Sequence, residues 1–138
     1  MQTSFLENQK PLLLIDESLA DYMLAQVLRL VDCNAVAVRE QFGEGAQDPI
    51  LIRWLGLQRG VWITSDERAK WEHSHEIKDA GIHILWVRRP KNLRFGKKAQ
   101  LLLILWVIDP VLQEIVNARG PAQFRARYSG ERPRWERL

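Results

Sequence analysis

The chain has little cysteine and no long hydrophobic run, and both absences narrow the class of protein. Cys33 is the only cysteine among 138 residues, which excludes an internal disulfide and a cysteine-rich zinc site. The longest aliphatic run, Leu101 to Ile108, is far shorter than the roughly 18 residues that span a bilayer. The first residues also lack the basic and apolar stretches of a signal peptide. These absences predict a cytoplasmic protein without a membrane segment.

Familiar catalytic motifs are missing too. The sequence contains no G-x-G-x-x-G, no Walker lysine motif and no G-x-S-x-G elbow, which removes the commonest nucleotide-binding and acyl-transfer sites. His73 and His75 are two residues apart on a predicted helix and face different directions, so they do not form a zinc motif. With 46% hydrophobic and 27% charged residues, the composition is that of an ordinary globular protein. The length predicts one domain, residues 1–138.

Short apolar runs alternate with helical patterns along the chain. Strands are predicted at 11–15, 35–38, from 60 onward and at 82–87, with a further edge strand at 123–128 before a loose C-terminal coil. Helices are predicted from 18, from 48, over 67–80 and over 97–117. The apolar stretch Leu101 to Ile108 also fits a fifth buried strand. This alternation predicts an α/β fold with a mostly parallel sheet.

Carboxylates follow the ends of two predicted strands. Asp16 and Glu17 come directly after the first strand, and Asp66 and Glu67 follow the third. In parallel sheets such strand ends meet at one edge, where ligands bind. Asp48 opens a helix after a glycine-containing loop. Because Mg²⁺ and Mn²⁺ prefer oxygen ligands, the sequence predicts a metal site formed by Asp16, Asp48 and Asp66, with Glu17, Glu44 and Glu67 as weaker candidates.

Most of these acids also have a local explanation. Asp48 before proline is typical of a helix N-cap, as is Ser18 with Asp21 as its capping-box partner. Thr64 and Glu67 match the T-x-x-E capping box. Asp66 also fits a residue that complements a helix dipole, whereas nothing local requires the carboxylate of Asp16.

Basic residues are segregated from this acidic centre. The segments 88–98 and 119–138 hold 12 of the 20 bases, which leaves 8 bases against 15 acids elsewhere. A basic margin beside acids suits a polyanion whose phosphates approach a metal, although solvated loops and a basic tail at about 119–138 would give the same composition. The predicted RNA-binding residues are Arg68, Arg88, Arg89, Lys91, Arg94, Lys97 and Lys98.

The order of these motifs resembles a known family. An apolar strand precedes Asp16, a glycine-containing loop leads to Asp48 at a helix start, and Thr64-Ser65-Asp66 ends the next strand. The set is similar to PIN-like domains of the compact kind found among VapC-type toxins. The resemblance implies a three-layer fold with four to five mostly parallel strands flanked by helices. It further implies a Mg²⁺- or Mn²⁺-dependent endoribonuclease, usually the toxin of a toxin–antitoxin pair and often dimeric, with Asp16, Asp48 and Asp66 as catalytic metal ligands.

One position departs from the pattern. Many such domains carry a second acid two residues after the T-x-D aspartate, where this chain has Arg68. The departure leaves three ligands, or marks a degenerate domain that binds without cutting. An interaction module is therefore one alternative, with a partner held by Leu101, Leu102, Leu105 and Trp106. A receiver-type signalling domain, which also places paired acids after its first strand, is the other alternative.

Overall fold

A six-stranded sheet lies at the centre of the part of the chain that the computed structural model describes, residues 10–91 and 94–138. The strands are β1 (Leu13–Ile15), β2 (Ala35–Ala37), β3 (Val61–Thr64), β4 (His83–Val87), β5 (Gln123–Ser129) and β6 (Arg132–Arg137). Their order is β2-β1-β3-β4-β5-β6, and all neighbours are parallel except β5 and β6. The predicted α/β fold with a mostly parallel sheet is confirmed, with six described strands rather than four to five.

Helices cover both faces of this sheet. They are α1 (Asp21–Leu30), α2 (Val38–Phe42), α3 (Asp48–Gln58), α4 (Ala69–Glu72), α5 (Ser74–Ala80) and α6 (Lys97–Asn117). Side chains alternate between the faces along each strand, so Ile15 and Ile63 pack in one core with α1 and α6. Leu14 and Trp62 pack in a second core with α3 and α5. Strands β1, β3 and β4 are therefore buried on both sides, which explains why they read as continuous apolar runs.

Helix α6 is the longest element of the described chain. Its 21 residues continue through Pro110, so the alternative strand at Leu101 to Ile108 is wrong. By length and mean hydropathy, 1.7 over its most apolar stretch, α6 would be able to cross a membrane. However, 39% of that stretch is buried within the protein, and core helices of soluble proteins have the same properties. The fold is thus compatible with a soluble protein.

The outer face of α6 tests the predicted partner interface. Leu102 and Trp106 are 50% and 68% exposed, whereas Leu101 and Leu105 are partly buried against the α1–α6 core. The continuous apolar pattern of the helix therefore combines a core face with an exposed apolar patch. Whether a partner covers that patch stays a prediction.

The C-terminal segment is a β-hairpin, not the predicted loose coil. Gly130, with a positive φ of 63°, and Glu131 form a two-residue turn between β5 and β6, a connection that favours glycine. Trp135 of β6 packs on Phe124 of β5, with ring centroids 6.1 Å apart. Because β6 takes the edge, β5 is an interior strand rather than the predicted edge strand, and Pro133 is tolerated in β6.

Two further predictions about local structure need correction. The loop predicted over residues 41–47 is present only from residue 43, because the short helix α2 extends to Phe42. Arg39 ties this helix to α1 through the buried carboxylate of Asp21. The single helix predicted over residues 67–80 is broken at His73 into α4 and α5. Both differences depend on contacts with distant segments, which local patterns do not report.

Candidate acidic site at the carboxyl edge of the sheet

Asp16 lies at the carboxyl end of β1 and is only 8% exposed. Its Oδ2 accepts a hydrogen bond from Thr64 Oγ1 at 3.0 Å and another from the Ser18 N–H at 3.2 Å. These bonds join the ends of β1 and β3 and hold the carboxylate in one position. Asp16 Oδ1 accepts no hydrogen bond from residues 10–91 or 94–138, which leaves one oxygen for a ligand.

Thr64 is the buried residue that organises this edge. Its hydroxyl donates to Asp16 and also accepts the N–H of Asp66 at 3.1 Å. Ser18 adds a second link, because its Oγ accepts the Ser65 N–H at 3.0 Å. The predicted capping box of Thr64 and Glu67 is wrong, because helix α4 begins only at Ala69 and the Glu67 carboxylate accepts from Arg125. Ser18 is likewise not the N-cap of α1, which begins at Asp21 after Ala20, whose N–H donates to Gln100 Oε1 at 2.8 Å.

Asp66 follows β3 and is already bound to a base. Arg68 donates to it from Nε at 3.0 Å, from Nη2 at 3.3 Å and from its backbone N–H at 3.3 Å. These hydrogen bonds outweigh the effect of burial and lower the pKa of Asp66 below its usual value. Asp66 therefore stays ionised, but its charge is compensated by Arg68.

Asp48 is the first residue of α3, and its carboxylate makes no capping hydrogen bond to the helix start. Gln47 is the N-cap residue instead, so the predicted N-cap role of Asp48 is wrong. Burial and the negative charge of Asp16 raise the pKa of Asp48; His73 opposes this effect and Asp66 adds to it. The other two acids predicted from the sequence thus both disfavour the charged form of Asp48.

His73 was not predicted as part of the site. Its Nε2 lies 3.6 Å from Asp48 Oδ2, and its buried Nδ1 has no hydrogen-bond partner among the described residues. The residue lies at the break between α4 and α5. Because the sequence predicted one continuous helix here, it gave no sign that His73 points toward Asp48. An imidazole beside a carboxylate is a familiar combination at functional sites, but only the folded chain brings these two together.

The weaker candidates have other contacts. Glu17 is exposed, and its Oε1 accepts the Gly45 N–H at 3.2 Å, so it fastens the loop before α3. Glu44 is exposed in that loop. Glu67 lies 3.1 Å from Arg125, 3.6 Å from Arg88 and 3.8 Å from Lys70. Burial raises the pKa of Glu67, but Arg125 and the other bases outweigh it and the pKa is lowered. Glu67 is therefore already paired with three bases.

The predicted basic residues lie beside this edge. Arg88, Arg89 and Lys91 follow β4, and Arg89 Nη2 donates to the Ser18 carbonyl oxygen at 2.6 Å. Arg94, Lys97 and Lys98 line a cavity of about 540 Å³ at the start of α6. Arg68 and Arg88 are already paired with acids, Arg68 with Asp66 and Arg88 with Glu67.

As the side chains stand, residues 10–91 and 94–138 contain no group of three acids, histidines or cysteines arranged to hold a metal ion. The donor types nevertheless fit a hard divalent cation, since Asp16 and Asp66 disfavour the charge on Asp48 and a cation would relieve that repulsion. The guanidinium of Arg68 would compete with such an ion for the Asp66 carboxylate.

Compared with family models, curated proteins and solved structures, the chain gives no significant match.

Proposed function

We propose that the protein is a Mg²⁺- or Mn²⁺-dependent endoribonuclease that hydrolyses RNA phosphodiesters at the carboxyl edge of the sheet. The observation that carries the proposal is the hydroxyl of Thr64, which donates to the Asp16 carboxylate and accepts the Asp66 N–H, so that these two acids from separate strand ends lie at one edge of the sheet. The negative charges of Asp16 and Asp66 also raise the pKa of Asp48, which is in keeping with a third acid nearby. The loss of the N-cap explanation for Asp48 strengthens it, because that partly buried carboxylate lies in the first turn of helix α3 without capping it.

The chain's own residues divide the work. Asp16 offers Oδ1 as a ligand while Thr64 and Ser18 hold its Oδ2, and Asp48 and Asp66 supply the other carboxylates. A bound Mg²⁺ or Mn²⁺ would lower the pKa of water and neutralise charge on the phosphate that is cut. The bases that follow β4 would position the RNA backbone.

The resemblance to VapC-type toxins extends the proposal. It supports a cytoplasmic toxin whose partner is a small antitoxin, and it favours a homodimer. The exposed Leu102 and Trp106 of α6 are the surface that we expect such a protein partner to cover.

The test is cleavage of a structured RNA by the purified protein with Mn²⁺ or Mg²⁺, beside a reaction in EDTA. We expect metal-dependent cleavage that is lost in the Asp48→Asn, Asp66→Asn double variant. Asp32→Asn is the matched control, because Asp32 is exposed outside the carboxyl edge and its left-handed φ of 68° suits asparagine. A folded wild type that neither cuts RNA nor binds Mn²⁺ would overturn the proposal and favour the interaction module.

Removing the Arg68 side chain should raise metal affinity. Arg68→Ala removes the two guanidinium hydrogen bonds to Asp66 and keeps the backbone N–H bond to Oδ1. A cation then no longer competes with a guanidinium that is itself 77% exposed. We expect Mn²⁺ to bind roughly 10-fold more tightly by calorimetry, a change typical of altering one ligand's hydrogen-bond partner. Arg53→Ala, which removes an exposed arginine on α3, is the control; equal affinities in all three proteins would show that Asp66 is not a ligand.

The strand order favours the receiver domain as a second candidate. The parallel order β2-β1-β3-β4-β5 is that of flavodoxin-like sheets, which include signalling receivers, and Asp66 follows the third strand as a phosphoacceptor would. Against it, Asp66 is bound to Arg68, and Tyr128-Ser129-Gly130 rather than a lysine ends β5. Incubation with acetyl phosphate and Mg²⁺ separates the two, since only a receiver would gain a phosphate that Asp66→Asn abolishes.

A further inference from the structure

A basic pocket adjoins the acidic site. It has a volume of about 380 Å³ and lies where β4 and β5 end; Arg88, Arg89, Lys91 and Arg127 line it, with Tyr128 and Glu136. We call it the β4–β5 pocket. Arg127 lies on β5, outside the basic segment that follows β4, so the parallel pairing of these two strands is what adds it to the other three bases.

Positive charge dominates this pocket. Glu136 is the one acid in its lining, and Glu136 pairs with Arg125, whose Nη1 is 3.4 Å away. Arg88 has a distant acidic partner in Glu67, at 3.6 Å. Within residues 10–91 and 94–138, Lys91 and Arg127 form no ion pair, so the pocket carries charge that the described chain does not neutralise.

The pocket is directly connected to the acidic site. Arg89 donates to the carbonyl oxygen of Ser18 at 2.6 Å, and the N–H of the same Ser18 donates to Asp16. Because a carbonyl is neutral, this contact positions the guanidinium without cancelling its charge. The pocket and Asp16 are therefore linked through a single residue, Ser18.

Part of the pocket lining is apolar. Tyr128 and Pro90 line both this pocket and the neighbouring cavity that contains Arg94, Lys97 and Lys98. The Tyr128 hydroxyl donates to the Ala99 carbonyl oxygen, which fixes the ring between two groups of bases. Bases for phosphates and an aromatic ring for a nucleobase are the combination that binds single-stranded nucleic acid.

We infer that the β4–β5 pocket binds a backbone phosphate of single-stranded RNA next to the phosphate that lies at the acidic site. The choice of RNA as the ligand rests on the proposed function. The geometry adds Arg127 and Tyr128 to the binding residues and gives the strand a path from Asp16 past Arg89 toward α6.

The inference is tested by RNA binding without metal. A fluorescent single-stranded RNA of about 12 nucleotides is titrated in EDTA, so that no cleavage occurs, against wild type and Lys91→Gln, Arg127→Gln. We expect affinity to fall at least about 10-fold, and the salt dependence of log Kd to weaken by about 0.7, which is the contribution of one neutralised phosphate on a single strand. Neither side chain has an ion pair within the described chain, so the variant should fold as wild type does.

The matched control is Arg53→Gln, Arg119→Gln, which removes the same net charge from two exposed arginines outside the pocket lining. An equal loss of affinity in both double variants would show that net charge alone attracts RNA and would overturn the inference, as would no loss in either. If wild type binds RNA through Lys91 and Arg127 but never cleaves it with metal, the RNA-binding role of the pocket is supported and the proposed nuclease activity is overturned. If wild type cleaves RNA and the Lys91→Gln, Arg127→Gln variant cleaves it equally well, the nuclease activity is supported and the RNA-binding role of the pocket is overturned.

Discussion

Replacing Asp16 with asparagine is expected to slow metal-dependent RNA cleavage about 1000-fold. Asparagine still accepts the hydrogen bonds of Thr64 and Ser18 with its one oxygen, but it offers an amide in place of the second carboxylate oxygen. The lost ligand removes several kcal/mol of charge stabilisation, and each 1.4 kcal/mol or so is a factor of ten in rate. Single-turnover cleavage rates and Mn²⁺ calorimetry measure the two effects separately.

The fold should survive this substitution, and that separates a catalytic loss from an unfolding one. We expect the Tm of Asp16→Asn to stay close to that of wild type, because Asp16 Oδ2 is the oxygen that the described chain uses for hydrogen bonds. Asp32→Asn again serves as the control, because it makes the same aspartate-to-asparagine change away from the acidic site. Full activity in Asp16→Asn would exclude this carboxylate as a metal ligand. The proposed site would then lose the acid that Thr64 and Ser18 hold in place.

Substitutions in the Asp21–Arg39 pair are expected to cause a large loss of stability. The Asp21 carboxylate is fully buried at the start of α1, while the Arg39 side chain is 31% exposed. Arg39→Met leaves a buried carboxylate without its cation, whereas Asp21→Asn leaves a guanidinium that still reaches water. Asp21→Asn should cost about 1–3 kcal/mol of unfolding free energy, and the loss for Arg39→Met should be roughly twice as large. Urea unfolding measures both.

The exposed pair Arg29–Glu40, with N–O distance 2.9 Å, is the natural comparison. Both side chains reach solvent, so Glu40→Gln should cost about 1 kcal/mol or less. The double variant Asp21→Leu, Arg39→Met removes both charges and should recover much of the stability that Arg39→Met loses. Losses of equal size in Arg39→Met and Glu40→Gln would show that burial of Asp21 does not decide the energetics.

The fold was largely predictable where local pattern and burial agree. The apolar run before Asp16 and the long pattern from Lys97 to Asn117 identified β1 and α6, because strands buried on both faces and core helices need such residues. Strand β6 was missed, since it is held by Trp135 on Phe124 and by pairing with β5, and its own arginines resemble a solvated tail. Long-range pairing overrides composition in this hairpin.

The site was predictable only in part, for the same physical reason. The sequence places Asp16 and Asp66 at the ends of strands, and topology then brings them to one edge. It cannot show that Arg68 folds back onto Asp66, or that the break between α4 and α5 aims His73 at Asp48. Those contacts depend on side-chain directions in short turns, where neither periodicity nor charge pattern carries information.

The hairpin at the end of the chain has a consequence for self-association. An unpaired strand edge is a template on which other chains add strands, and this is the common route to aggregation. Here β6, with Pro133 and three arginines, forms one edge of the described sheet, and β2, with only three residues, forms the other edge. Proline cannot donate to a ladder, and like charges on an incoming copy repel. Concentrated solutions should therefore resist fibre formation, and assembly has to proceed through helix faces such as that of α6.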